Sequence, residues 1–257
     1  MSSILALAKS IVRKALILRY RYFLNTAGNF AMLYLLFLLV FFGGQRFAEQ
    51  AVSQSLEGII VGVFLFSTAQ VAFSRIAFDI TNEAQWGTLE HLYMTPFGFD
   101  IVMLFKSIVN VLISFLFGIV LLLLMMVTSS TYLDIHPLTI TVLGLLTLSS
   151  VIGLGFIIGS IAIIYKRVEN MFNLMQFGFI AFLSVPIGEH VLVKALPLSF
   201  GNHLIGIALT RNLRLWELPA SDLAFLTVHA VGYLLIGMGC VRFTSEVARK
   251  RGALSHY

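Results

Sequence analysis

Charged residues are widely spaced along this chain, and the intervals between them are long and apolar. Residues 22–45, 58–74, 107–133, 135–165, 170–188 and 223–241 contain no Asp, Glu, Lys or Arg. At 1.5 Å per residue each run can cross about 30 Å of hydrocarbon, the second when its charged ends reach the interface. The pattern predicts six transmembrane helices, at 26–44, 56–79, 99–128, 138–164, 170–187 and 221–241. A further apolar run, 195–210, is short and contains Pro197, Gly201, Asn202 and His203. Its polar atoms would be costly against lipid. The reading here is a re-entrant segment within 188–219, placed outside, between the fifth and sixth spans.

The first 24 residues follow another rule. Ile4, Ala8, Ile11, Ala15 and Leu18 recur at helical spacing, with Lys9, Arg13, Lys14 and Arg21 mostly on the other side and Arg19 among the basic residues of the segment. A basic amphipathic helix lies in the membrane surface with its cations near lipid phosphates. A positive leader that only fixes topology is the alternative. Basic residues throughout this segment, and no small-x-small site after the next apolar run, argue against a cleaved signal.

Composition agrees with the pattern. The chain of 257 residues is 59% hydrophobic and 11% charged, less than half the roughly 25% charge of soluble domains, and its mean hydropathy is +0.95. One water-soluble core cannot hide that much apolar surface, so the fold class is an all-α integral membrane protein forming a single transmembrane domain, 1–257. The net charge of +5 matters through its placement. With the N-terminus in the cytoplasm and six crossings, 13 Lys and Arg fall inside and four outside, a strong positive-inside bias. Both termini are then cytoplasmic. The lone Cys240 reads as a packing residue and reveals no compartment.

Motif chemistry is sparse. No lysine follows a glycine, so the chain has no Walker A loop, and HExxH, CxxC, EF-hand and GxSxG patterns are missing. The six histidines have no metal-like spacing. His229 in the sixth span, Asp222 at its outer end and Asp79 at the end of the second are the groups a self-sufficient secondary transporter or membrane enzyme would use. A hydrogen bond to a neighbouring helix explains His229 more simply. Gly155 and Gly159 form a GxxxG in the fourth span, suited to close helix packing within one subunit or in a dimer.

The segment 82–96, NEAQWGTLEHLYMTP, interrupts the apolar chain on the cytoplasmic side. Asn82 and Gln85 have capping-box spacing, Glu83 suits a helix N-terminus, and Pro96 ends the helix. Trp86, Leu89 and Tyr93 share a face with Leu92 at its edge, Gly87 permits close approach, and Thr88 and His91 point elsewhere. The segment reads either as an aromatic interface anchor or as a docking surface. Glu90 beside the bulky stripe suits a protein partner better than acyl chains.

Glu83, Gly87, Thr88, Leu89, Glu90, Leu92, Thr95 and Pro96 together resemble the cytoplasmic coupling motif of ABC-2 type transporter permeases. Trp86 and His91 depart from the commoner residues of that motif. The layout is also similar: a basic N-terminal helix, six spans, an outside re-entrant segment and a short basic tail. The resemblance implies the membrane subunit of an ATP-driven exporter, without enzymatic activity of its own. Two copies, or two related chains, would dimerise in the lipid bilayer. A separate ATPase subunit, holding ATP and Mg, would dock on the helix at 82–96, so this chain needs no cofactor or metal of its own and binds no nucleic acid. Residues 1–24 would form the connecting helix and 188–219 the external gate region. The plasma (inner) membrane of a prokaryote is the expected location. Relatives of this kind move drugs, lipids, polysaccharides and ions. The Phe-rich first and third spans are compatible with hydrophobic cargo and equally with packing.

Overall fold

The computed structural model describes residues 2–47, 49–85, 94–165, 168–185 and 191–250. Every regular element among them is helical: α1 (Ser2–Arg21), α2 (Phe23–Phe47), α3 (Glu49–Gln85), α4 (Gly98–Ser129), α5 (Pro137–Tyr165), α6 (Glu169–Ser184), the single turn α7 (Val191–Lys194), α8 (Ser199–Thr210) and α9 (Ala220–Lys250), with a 3-10 turn at Leu215–Glu217.

Five helices are long and apolar enough to cross a membrane, in the segments Phe23–Gly44, Leu56–Glu83, Gly98–Ser129, Pro137–Tyr165 and Ala220–Ala248. They coincide with five of the predicted spans. The remaining one, expected at 170–187, is α6, whose 16 residues rise about 24 Å, short of the roughly 30 Å of hydrocarbon. The end of α6 meets α8, where Ser199 Oγ donates to the Phe182 carbonyl at 2.5 Å and Asn202 Nδ2 to that of Leu183 at 3.4 Å. In the segment read as re-entrant, α8 buries Phe200, Gly201, Leu204, Ile205, Ala208 and Leu209.

Two helices outrun their predicted bounds. α9 continues to Lys250, with an i,i+4 Arg242–Glu246 pair at 3.5 Å. α3 has no proline along its 37 residues and runs on to Gln85. Asn82 and Glu83 therefore lie in the last turns of α3. This corrects the expectation that Asn82 caps a separate helix: the span's own hydrogen-bond ladder already satisfies the backbone there. Residues 94–97 form a turn, with the Gly98 N–H bonded to the Thr95 carbonyl at 3.1 Å. Gly98 takes a φ of 72°, a left-handed value that glycine adopts without steric cost, and α4 starts from it. Trp86, Gly87, Thr88, Leu89, Glu90, His91, Leu92 and Tyr93 lie outside the described residues.

α5 is the centre of the bundle. Within its spanning window 67% of residues are buried, against 17% for α2 at the edge. It packs along α9, α3 and α8. Between helices in lipid the hydrophobic effect supplies little, so small residues and van der Waals fit decide association. A Cβ on Gly153 would overlap the Tyr233 carbonyl, and one on Gly237 would overlap the Gly153 carbonyl, so α5 and α9 touch backbone to backbone. Gly155 and Gly159 face α3 of the same chain, where a Cβ would lie 3.3 Å from Ile76 Cγ2 and 2.5 Å from Ile80 Cδ1. Phenylalanine fills the wider gaps: Phe73 meets Phe172 and Phe179 edge-on, with centroids 6.1 and 5.2 Å away.

Candidate functional site

At the end of the bundle where α3 finishes and α4 begins, charged residues from three helices converge. Lys106 Nζ donates to Glu83 Oε1 at 2.7 Å, a half-buried ion pair joining α4 to α3 across the 86–93 segment. One turn inward, Asn110 Nδ2 donates to Asp79 Oδ2 at 3.2 Å. α1 packs against α4 on a face containing Ala8, Ile11 and Ala15, all half-buried, while Ile4 and Leu18 of the expected apolar stripe are exposed. Lys9, Arg13, Lys14 and Arg21 are exposed. Arg19, four residues after Ala15, follows the packed face and turns inward. Burial and then the neighbouring Arg75 cation lower its pKa to about 10, with Asp79 partly opposing. The guanidinium remains charged at neutral pH.

Arg19 lies on the wall of a partly open cavity of about 490 Å³ lined by α1, α2, α3, α4 and α6. That volume is within the range of small-molecule sites. α3 supplies a polar wall: Ser67, Gln70, Ser74, Arg75, Asp79 and Asn82 all face the cavity. Their spacing of three, four, one, four and three residues keeps them on one helix face. α2 adds Asn25, Thr26 and Asn29 near its start, then Phe30, Met32 and Leu33 deeper. Phe117, Gly118 and Leu121 of α4 close the inner end beside Ser114. The cavity thus has a polar side and an apolar side.

The polar side is only partly satisfied by the protein. Gln70 Nε2 donates to Gln176 Oε1 at 3.2 Å, and Gln176 Nε2 to Ser74 Oγ at 3.1 Å. Many hydroxyls in the spans bond back to their own helix, as Thr68 does to the Phe64 carbonyl and Ser107 to that of Met103. Ser67 and Ser114 do not. Their Oγ atoms, and Gln70 Oε1, are buried without a hydrogen-bond partner among the described residues, and all three residues line the cavity. Ser67 is 2% exposed and Ser114 1%. An unmet polar atom in such a place costs about 1–3 kcal/mol.

The groups expected of a self-sufficient transporter or enzyme are not brought together. Asp79 bonds Asn110 on α4. His229 Nε2 lies 2.8 Å from the Ala195 carbonyl, which the Tyr233 hydroxyl also reaches at 3.1 Å. Asp222 sits in the first turn of α9, where it suits the helix dipole. Among the described residues no hydrogen bond or ion pair joins the three, and no three His, Cys, Asp or Glu side chains group as metal ligands. Reading the sequence for acids at the midplane overlooked the polar stripe of α3. Its signal was present in Ser67, Gln70, Ser74 and Asn82, amides and hydroxyls repeating at three, four and eight residues. No family model matches the chain, and no curated protein or solved structure matches it significantly.

Proposed function

We propose that this chain is the permease subunit of an ATP-driven ABC exporter of the ABC-2 type, crossing the plasma (inner) membrane six times with both termini in the cytoplasm. It dimerises to form the translocation path and couples to a separate ATPase subunit, which holds the ATP and Mg. The observation that carries this reading is the motif running from Glu83 to Pro96 between two long apolar helices. The supporting geometry is the Glu83–Lys106 ion pair, because the first residue of the motif is tied to the helix that follows it. A push on 86–93 would then reach α3 and α4 as one unit. α6 and α8 together would complete the fifth crossing and the outer gate.

The test is co-purification from native membranes in mild detergent, with and without Leu89→Asp. The wild-type chain should bring down an ATP-binding cassette protein of separate sequence. Leu89→Asp should lose that protein and its transport while inserting normally. Recovery of no ATPase by the wild type, or normal export by the variant, would refute the reading.

A further inference from the structure

The cavity beneath α1 is larger than packing requires and more polar than a lipid-facing surface tolerates. Hydroxyls and amides reach inward along α3 from Asn82 to Ser67, about 22 Å at 1.5 Å per residue, to the middle of the Leu56–Glu83 window. Two cations, Arg19 and Arg75, stand on its wall with one carboxylate, Asp79, which already accepts from Asn110. Phe30, Met32 and Leu33 line the facing side. Met32 is 67% exposed, so the apolar side continues onto the lipid-facing surface of α2.

We propose that this cavity binds an anionic amphiphile: Arg19 and Arg75 hold its anion, Asn29, Ser74 and Asn82 bond its polar neck, and its acyl chain leaves along α2. Three observations converge on that chemistry. The two arginines carry more charge than Asp79 balances, and a guanidinium fork suits a phosphate or carboxylate. The amides of Asn29 and Asn82 and the Ser74 hydroxyl stand on the same wall and offer polar partners below the anion. A neutral polyol would leave the arginines facing each other, and a free anion would leave the apolar wall unused.

Binding is measured on this chain alone, so the proposal stands or falls independently of the permease reading. Purified protein in neutral maltoside detergent is titrated with lauroyl lysophosphatidate, with glycerol phosphate as the head without the chain, and with dodecyltrimethylammonium as a chain of opposite charge. The readout is the shift in unfolding temperature. Lysophosphatidate should stabilise saturably, glycerol phosphate should bind at least ~10-fold more weakly, and the ammonium should give no shift. Arg19→Gln and Arg75→Gln should each weaken lysophosphatidate about 10-fold, the loss of one charge-assisted hydrogen bond. Lys14→Gln, which removes the same charge from the outward face of α1, should leave affinity unchanged. Equal stabilisation by the ammonium, equal affinity for glycerol phosphate, or equal loss in Lys14→Gln and Arg19→Gln would overturn the proposal. Should an arginine variant fail to fold, a photoreactive lysophosphatidate decides on the wild type: labelling of peptides 25–33 and 67–75 supports the site, and labelling confined to α9 overturns it.

Discussion

Replacing Lys106 with methionine keeps much of the side chain's length and removes its charge. Lys106 Nζ and Glu83 Oε1 are 2.7 Å apart, and their side chains retain 16% and 17% exposure. At an effective dielectric of about 20, opposite unit charges at that separation attract by roughly 6 kcal/mol. Desolvation of both ions offsets most of this, leaving about 1.5–3 kcal/mol for a charge-assisted hydrogen bond. Lys106→Met should cost more than the net value, because it leaves Glu83 behind with Asp79, which also lies in the field of Lys106. The expected loss is about 3 kcal/mol. Glu83→Gln should cost about 1–2 kcal/mol, since the amide oxygen still accepts from Lys106. The double variant should be no less stable than Lys106→Met, giving a coupling of about 2 kcal/mol. Titration of the purified protein with SDS in mixed micelles, followed by far-UV circular dichroism, measures all four proteins. Single losses that add to within about 0.5 kcal/mol in the double variant would show that the pair is not coupled.

Gly153→Leu should destabilise by more than about 3 kcal/mol, because its side chain would displace the backbone of α9, whereas Gly232→Ala, with nothing within 4 Å of the added methyl, should be neutral or stabilising by up to about 1 kcal/mol; thermal unfolding of the two variants tests this contrast. His229→Phe should cost about 1 kcal/mol and leave transport intact, since Tyr233 still donates to Ala195. Adding Tyr233→Phe should cost more than the two losses summed, and abolished transport in a well-folded His229→Phe would instead give that histidine a chemical role.

The helices were legible because charge marks their ends. Arg46, Lys106 and Lys166 bound apolar runs that can only be membrane helices, and α2 and α5 begin and end within a few residues of those predicted. Helix extent was harder to read wherever the helix leaves the apolar run. Nothing between Asp79 and Gln85 stops α3, and a plausible cap at Asn82 does not compete with an established ladder. The site was less legible, because its parts lie on five helices far apart in sequence. Arg19 looked like one more surface cation. Its place follows from the packing angle of α1, which the periodicity of that helix leaves open within a residue or two. Hydrophobic averages hid Ser67, Gln70 and Ser74, since single hydroxyls and amides hardly lower the hydropathy of an apolar window. Their shared face shows only when positions are compared three and four apart.

The depth of the cavity has an electrical consequence. If the vestibule filled with water as far as Gln70, it would carry the potential of one compartment to the middle of the bilayer. The transmembrane voltage would then fall across the remaining half of the bundle, where Leu121 and the Phe64–Phe115 contact close the way. An elementary charge crossing the full potential exchanges about 2.3 kcal/mol per 100 mV. Nearly all of that work would be done in the thin dry layer, in a field about twice that of an intact bilayer. A charge resting at Arg75 would feel almost none of it. Binding at the mouth would be indifferent to membrane voltage, and only the step past Phe115 would be sensitive to it.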